Sequence, residues 1–432
     1  MKRLRQTMIL GIIMLLLAGL ASAQTITLEF WEGPPREGMY EALEIAIQAF
    51  KEKHPNVQFN ITQVPWAQFA EKFQMGSITG NLPDISDAYA SLAQSLYGQG
   101  ITMPLNDVVE DIGWDKFSEW TQKLMMMDGD VIGIPYINPP HVLWYRKDLF
   151  EEKGLDVPKT WSEWLHAAKE LTIDTDGDGK PDIYGMLQYL YDTEPQAITN
   201  LMYTSGASTF DENGNVAINS PAMKASVDFL KEIWKYSQPG AASATQNDAR
   251  ILFMAGHGAM IATSVSLAAV MAEQAPELRD KIGVAPIPKW EEYDGPWTGT
   301  AAYNWWVVSN STEHPELIKD FLRTFFDPEV YLKYSQTTYR GWLPVLLPTQ
   351  QDPEFFNHPR IAPYADYFKV ALEVSPGSVS IGQEYGSNMY GGLVDAEGVY
   401  KGIVERAVLN NWPTERVVQW AEDRVNEIVE SY

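Results

Sequence analysis

An aspartate-rich stretch, DTDGDGKPD at residues 174–182, has the residue types and spacing of a calcium loop. Its alternating carboxylates would point at one hard cation, with Gly179 providing the sharp turn of an EF-hand-type loop. The predicted ligands of a structural calcium ion are Asp174, Asp176, Asp178, Lys180 through its carbonyl, and Asp182. Position 12 is Gly185, where a bidentate glutamate belongs. We therefore expect a bound calcium ion to stabilise the loop locally rather than to act as a conformational switch. A solvated acidic turn without metal is the alternative.

Patterns of reactive side chains are otherwise missing from the sequence. The chain has no cysteine, its six histidines lack metal-binding spacing, and it contains no Gly-x-Ser-x-Gly, P-loop or dinucleotide fingerprint. With 57 acidic residues, carboxylate pairs occur by chance, so a glycosidase pair cannot be identified from sequence. The sequence favours a protein that is not an enzyme, and a secreted polysaccharide-active hydrolase or lyase is the alternative.

The first 23 residues have the composition of a secretory signal peptide. Three basic residues precede an apolar run from Met8 to Leu20, and Ala21-Ser22-Ala23 forms a small-x-small cleavage site. We expect residues 1–23 to be removed and the mature protein to be periplasmic. Without cysteine it has neither disulfides nor a lipid-modified cysteine as an anchor.

Length, charge and aromatic content limit the class of protein further. A chain of 432 residues is expected to form two domains. Its formal net charge of −25 repels phosphates, which argues against nucleic acid or anionic membranes as partners. The 15 tryptophans exceed what the core needs, so some are expected on a binding surface.

Hydrophobic periodicity predicts an α/β fold. Residues 25–64 show a strand, a helix and a strand in turn, which is the unit of a parallel sheet. Thr160 and Glu163 have capping-box spacing before a helix whose tryptophans, Trp161 and Trp164, we assign to the core. Residues 183–190 are predicted to form a strand, and residues 314–335 an amphipathic helix.

Several stretches, in this order, resemble one known family. They are ITLEFWEG, LPDISDAYASLAQSLYGQGITMPLND, GIPYINPPHVLWYRKDLFEEKG, PKTWSEWLHAAKEL, ILFMAGHGAMI, IGVAPIPKWEEYDGPW, HPELIKDFLRTFF and RGWLPVLLPT. The chain resembles the extracellular solute-binding proteins of carbohydrate ABC importers, the maltose-binding-protein-like family, over nearly its whole length.

The resemblance implies a two-lobe periplasmic binding protein fold (type II) with a hinge between α/β lobes. The N-lobe would combine residues 24–136 with 307–355, and the C-lobe 137–306 with 356–432. The implied function is capture of a sugar or oligosaccharide between the lobes and delivery to ABC transporter permease subunits, by a monomer. A binding protein for another solute, such as a peptide, a polyamine or glycerol phosphate, is the alternative.

A sugar cleft needs flat aromatic rings for C–H faces and polar side chains for hydroxyls. Such residues, placed in loops near strand ends, are expected to bind the ligand. The candidates are Trp31, Glu32, Asp87, Tyr89, Tyr136, Asn138, Trp297, Tyr303, Asn304, Trp305, Arg340, Trp342, Glu384, Tyr385 and Asn388. One segment departs from the family pattern, because Thr263, Ser264 and Ser266 stand where the maltose-binding group often has a sugar-stacking tryptophan. We therefore expect a sugar, or a sugar orientation, other than that of maltose.

Overall fold

The structure is a computed structural model that describes residues 25–33, 39–190, 196–301, 303–338 and 342–431. The predicted signal peptide, residues 1–23, and the candidate ligand residue Arg340 lie outside the described residues. No helix within the described ranges is both long and apolar enough to cross a membrane.

Two β-sheets and a small hairpin organise the described chain. The strands are β1 (Ile26–Glu32), β2 (Val57–Gln63), β3 (Ile85–Tyr89), β4 (Met126–Met127), β5 (Asp130–Val131), β6 (Ile134–Asn138), β7 (His141–Arg146), β8 (Met260–Ser264), β9 (Ile282–Ala285), β10 (Asn304–Val308) and β11 (Leu343–Pro344). The larger sheet has the order β11-β6-β10-β3-β1-β2, the smaller one has the order β8-β7-β9, and β4 pairs with β5. In the larger sheet β1 is parallel to β2 and β3, whereas β10 is antiparallel to β3 and β6.

Helices connect the strands and pack on the sheets. In chain order they are α1 (Met39–Lys53), α2 (Phe69–Thr79), α3 (Ala90–Gly98), α4 (Asn106–Ile112), α5 (Glu119–Met125), α6 (Lys147–Lys153), α7 (Trp161–Glu170), α8 (Gln196–Ser205), α9 (Pro221–Ile233), α10 (Gln246–Met254), α11 (Leu267–Gln274), α12 (Pro315–Phe325), α13 (Pro328–Thr337), α14 (Leu347–Gln351), α15 (Pro353–Asn357), α16 (Ala365–Val374), α17 (Met389–Ala396), α18 (Val399–Val404) and α19 (Thr414–Ser431). A π-helical segment, Glu405–Leu409, continues α18.

Helix α7 begins where the sequence predicts. The Thr160 side chain accepts a hydrogen bond from the Glu163 amide, and the Glu163 carboxylate accepts one from the Thr160 amide, so the capping box is complete. Trp161 and Trp164 are buried and contact the ring of Phe229. Their assignment to the core is confirmed.

Two predicted elements are wrong in detail. Residues 314–335 form two helices rather than one, because the Asp327 side chain caps a new helix whose first residue is Pro328. Residues 183–190 form isolated bridges, such as Tyr184 with Gly258, rather than a strand. The apolar side chains there are buried in two hydrophobic clusters, so a buried loop has the same pattern as a strand.

Most of the larger sheet lies in one hydrophobic core, whereas the residues of the smaller sheet are divided between two others. The larger sheet packs on α1 and α12, with Phe30 contacting both Trp306 and Phe321. Strands β6 and β10 lie wholly in this sheet, so the lobe boundaries predicted at 136/137 and 306/307 fall inside strands. The chain leaves the larger sheet after Asn138, and the next strand, β7, belongs to the smaller sheet. The remaining lobe assignments stay a prediction.

Helices α3 and α17 join the two halves of the chain by a close contact. A β-carbon at Gly392 of α17 would lie 2.2 Å from the backbone oxygen of Ser91 in α3. Glycine is therefore required at this position for the two helices to approach this closely.

Candidate functional site

Two carboxyl groups lie side by side, one at the carboxyl end of β1 and one in the middle of β3. Trp31 is opposite Ser86 in the parallel register, so Glu32 and Asp87, the next residues on each strand, are neighbours. One Asp87 oxygen accepts a hydrogen bond from the Tyr136 hydroxyl at 2.6 Å, and the other accepts one from a backbone amide. Glu32 is 2% exposed, and one of its oxygens is buried without a hydrogen-bond partner. We call Glu32 and Asp87 the carboxyl pair.

Both carboxyl groups of the carboxyl pair have raised pKa values. Burial, with a further contribution from the charge of Asp87, raises the pKa of Glu32 to about 8. Burial also raises the pKa of Asp87 to about 7, although its hydrogen bonds from Tyr136 and Gly33 act in the opposite direction. The pair therefore holds a proton near neutral pH instead of carrying two charges.

Aromatic side chains surround the carboxyl pair and pack in the core. Tyr136 stacks on Trp306 at a centroid distance of 4.2 Å. The Asn304 side-chain amide donates to the Tyr136 hydroxyl at 3.4 Å. Trp305 has no exposed surface. The structure thus brings Tyr136 and Asn304 beside the carboxyl pair, and it places Trp305 inside the core.

Two further candidate tryptophans are also packed. Trp31 is 7% exposed and contacts the Phe73 ring edge-on, with the Lys72 ammonium 4.4 Å from its ring centroid. Trp342 is 8% exposed and belongs to the core of the larger sheet. Their roles in ligand binding stay a prediction.

A tryptophan that sequence reasoning missed lies at the end of β2. The Trp66 ring covers Gly33, where a β-carbon would lie 2.3 Å from the indole, and it contacts the half-buried ring of Tyr89 edge-on. Because β2 is parallel to β1, its carboxyl end leads to the same edge of the sheet. The position of Trp66 after a predicted strand was the signal that could have identified it.

Asn138 links the two segments that cross between the sheets. Its amide nitrogen donates to the Tyr303 hydroxyl at 2.9 Å and to the Ser375 hydroxyl at 2.5 Å. Its carbonyl oxygen is buried without a partner. Burial raises the pKa of Tyr303. Both Asn138 and Tyr303 are buried, so this network holds the crossing segments together.

The glycine-rich loop before α17 exposes one of its three candidate residues. Glu384 accepts hydrogen bonds from the Thr209 amide and hydroxyl at 3.2 and 3.1 Å, and burial raises its pKa to about 7. The Asn388 side chain caps α17, and its backbone amide donates to Gln94 of α3. Tyr385, in contrast, is 48% exposed. The loop is held by Glu384 and Asn388 and presents Tyr385 to solvent.

An aromatic–lysine patch surrounds Tyr385, and it includes the candidate Trp297. Its members are Trp120, Lys123, Lys289, Tyr293, Trp297 and Tyr385. The Lys123 ammonium lies 5.7 Å from the Trp120 centroid and 5.9 Å from that of Tyr385. The Lys289 ammonium lies 5.0 Å from the Trp297 centroid and 5.5 Å from that of Tyr293. The sequence prediction missed Lys289 and Tyr293, and it also missed Trp120 and Lys123, which lie on a short helix without a distinctive motif.

The hydroxyl residues that replace the expected tryptophan contact a buried arginine. Arg250 of α10 donates to the Thr263 hydroxyl at 3.3 and 3.2 Å and to the Ser266 hydroxyl at 3.2 Å. Ser264 accepts from the Ser266 amide. This position is therefore a polar cluster rather than an aromatic surface.

The aspartate-rich loop brings carboxylates together. Oxygen atoms of Asp174, Asp176 and Asp182 lie within 4.8 Å of one another. The Gly177 and Gly179 amides donate to Asp174 at 2.7 and 2.8 Å, which folds the loop around that carboxylate. Carboxylate oxygens of this kind are the ligands that a hard cation such as calcium prefers.

The remaining predicted ligands of the loop have local roles. The Asp178 carboxylate accepts from the Lys180 amide at 2.7 Å. A β-carbon at Gly185 would lie 1.8 Å from the backbone oxygen of Ala168, so position 12 has no room for the glutamate of an EF-hand. The loop is therefore limited to the ligands of its first nine positions.

Comparison with known proteins gives a consistent result. The sequence pattern of the family described as bacterial extracellular solute-binding protein matches residues 33–331. The arabinooligosaccharide-binding protein of Halalkalibacterium halodurans is 27% identical over 300 residues, which are 65% of this chain and 63% of the relative. The lactose-binding protein of Rhizobium radiobacter is 27% identical over 318 residues, 70% of this chain and 71% of the relative.

A solved structure shows the same fold. Maltose-bound MalE3 of T. maritima superposes with a TM-score of 0.76 at 16% sequence identity, covering 93% of this chain and 100% of that one. The predicted two-lobe α/β binding-protein fold is confirmed.

Proposed function

The chain belongs to the bacterial extracellular solute-binding protein family, and from this premise we propose that it captures a sugar or oligosaccharide for an ABC importer. The observation that carries the sugar assignment is the aromatic–lysine patch, where partly exposed rings from both halves of the chain lie beside two lysines. Flat rings of this kind cover the C–H faces of sugars. The named lactose-binding and arabinooligosaccharide-binding relatives support the same ligand class.

Capture would occur by closure of two lobes around the ligand. The ligand first binds one lobe, and closure adds contacts from the other and excludes water. Permease subunits of the importer would then recognise the closed monomer. The family and the signal-like N-terminus support an exported, periplasmic protein.

Binding would proceed without chemistry. Glycosidases place two carboxyl groups on either side of an accessible glycosidic bond. Here the adjacent carboxyl pair is sealed from solvent, since Glu32 is 2% and Asp87 0% exposed. The pair therefore has the proton affinity of a catalytic acid without the access that turnover requires.

A titration monitored by tryptophan fluorescence tests the ligand class. The panel contains neutral and acidic mono- and oligosaccharides, a polyamine and a peptide mixture. Saturable shifts with carbohydrates, without release of reducing ends, support the proposal. Shifts with the polyamine or the peptides alone would assign a non-sugar solute instead, and release of reducing ends would assign an enzyme.

We also propose that the aspartate-rich loop binds a structural calcium ion. Asp174, Asp176 and Asp182 would supply side-chain oxygens. The loop lies between α7 and a buried segment of the chain. Calcium should raise the melting temperature and chelator should lower it, while sugar affinity persists. Asp176→Asn should abolish the calcium shift, and Asp211→Asn, at another exposed turn, should retain it. A calcium shift unchanged in Asp176→Asn would contradict this site.

A further inference from the structure

The aromatic–lysine patch lies where the two halves of the chain meet. Trp120 and Lys123 belong to α5, on the larger-sheet side, and Tyr385 belongs to the loop before α17. The Trp120 indole donates to the Ser378 backbone oxygen at 2.9 Å, which fixes α5 against this loop. Tyr385 and Lys123 are exposed, so a solute can reach both.

The lysines of the patch are not neutralised by carboxylates. Within the described residues, neither Lys123 nor Lys289 has a carboxylate within ion-pair distance. Lys289 donates one hydrogen bond to the Gly295 backbone oxygen at 2.6 Å, which leaves two of its donors. These uncompensated cations stand out on a chain with a net charge of −25.

Two of the carboxylates near the patch have hydrogen-bond partners elsewhere, and a third is exposed. Glu384 is next to Tyr385 in sequence, yet its oxygen accepts hydrogen bonds from Thr209. Glu291 accepts from the Ser162 amide at 2.8 Å. Burial raises the pKa of Tyr293, and the neighbouring Tyr385 and Asp294 raise it further. The Asp294 side chain is exposed to water. Lys123 and Lys289 therefore lie beside the rings without an ion-pair partner among the described residues, and Asp294 is an exposed acidic group of the same neighbourhood.

We propose that this patch binds a carboxylated sugar residue, so that the solute is an acidic, uronate-containing oligosaccharide. The inference rests on the proposed sugar-binding function. The rings of Tyr385 and Trp297 would cover C–H faces, while the Lys123 and Lys289 ammonium groups pair with the carboxylate. The same rings hold the ammonium groups in place by cation–π attraction before the ligand arrives. Neutral sugars gain only the first of these interactions.

Calorimetric titration with matched ligands tests the assignment. The probes are uronate oligosaccharides of two to four residues, built from galacturonate, glucuronate or mannuronate, each compared with its carboxyl-reduced counterpart. We expect an acidic ligand to bind roughly tenfold more tightly than its reduced counterpart, with affinity that falls as salt rises. Equal affinity for both members of every pair would overturn the inference and leave the proposed function standing. Binding of no carbohydrate at all would overturn the proposed function itself.

Two lysine variants separate the local contact from net charge. Lys123→Met removes an exposed ammonium of the patch, and it should lower affinity for the acidic ligand roughly tenfold and leave the reduced ligand unaffected. Lys169→Met makes the same change in charge at an exposed position of α7 and should leave both affinities unchanged. Equal losses in the two variants would overturn the inference, as would a sulfated oligosaccharide that binds as tightly as the carboxylated one. Circular dichroism checks that each variant is folded.

Discussion

Replacing Glu32 by glutamine is expected to stabilise the protein at neutral pH. The side chain is 2% exposed, and the pKa of its carboxyl is raised from 4.5 to about 8. Within the part of the chain that the structure describes, the titratable groups that interact electrostatically with it are Asp87, Tyr40 and Tyr334, and none of these is a cation. A neutral amide of the same shape does not titrate, so it avoids the free-energy cost of burying a carboxyl group in either protonation state.

The sign and size of the effect follow from proton linkage. Between pH 4.5 and 8 the folded protein keeps a proton on Glu32 that the unfolded chain has released, so stability falls as pH rises. The loss is about 1.4 kcal/mol per pH unit, which amounts to about 3 kcal/mol by pH 7. Glu32→Gln should recover a gain of this order at pH 7 and little at pH 4.5.

Urea denaturation between pH 5 and 8 measures the effect. The wild-type free energy of unfolding should fall with pH more steeply than that of the Glu32→Gln variant, and the two curves should separate as pH rises. Glu110→Gln, at an exposed position of α4, serves as the control and should follow the wild type. A Glu32→Gln variant that is less stable than the wild type at pH 7 would refute the reasoning, because it would mean that the ionised carboxylate is stabilised in the fold.

Substitutions at three positions test two close backbone contacts and one helix cap. Gly392→Ala, whose β-carbon would lie 2.2 Å from Ser91, should destabilise the α3–α17 contact by about 1–3 kcal/mol, and unchanged urea unfolding would contradict that contact. Gly185→Ala, with its β-carbon 1.8 Å from Ala168, should cost roughly 3 kcal/mol in the same assay, and wild-type stability would show that the loop is looser. Thr160→Ala should lower the free energy of unfolding by about 1 kcal/mol through loss of the helix cap, and Thr160→Ser should retain most of it.

Local signals in the sequence predicted helices well where caps were present. The capping box at Thr160 gave the start of α7, and the tryptophans behind it are in the core as expected. The break at Pro328 was missed because the apolar pattern continues across it into α13. A side-chain cap from Asp327 and a proline at the first position start a new helix regardless of that pattern.

Exposure of the candidate site residues was harder to predict. Residues near strand ends were candidates because ligands bind there, but a sheet covered on both faces buries alternate side chains equally. Trp305 and Tyr136 are thus packed inside, whereas Tyr385, on a loop, is exposed. Trp120 joins the patch from a helix far away in sequence, so only the folded chain brings it there.

The segment with hydroxyls instead of a tryptophan illustrates a second limit. The sequence shows that an aromatic surface is missing at Thr263 and Ser266. It does not show that Arg250, more than a dozen residues away, occupies the space and donates to both hydroxyls. The replacement of an aromatic surface by a hydrogen-bonded polar cluster can be recognised only when the partners of these hydroxyl groups are known from the folded structure.

Sugar capture without turnover is tested most directly by equilibrium dialysis of the mature protein against labelled carbohydrates, followed by chromatography of the bound sugar. We predict saturable binding of one carbohydrate molecule per chain and recovery of that carbohydrate unchanged. Absence of binding by any carbohydrate, or recovery of shortened products, would contradict it.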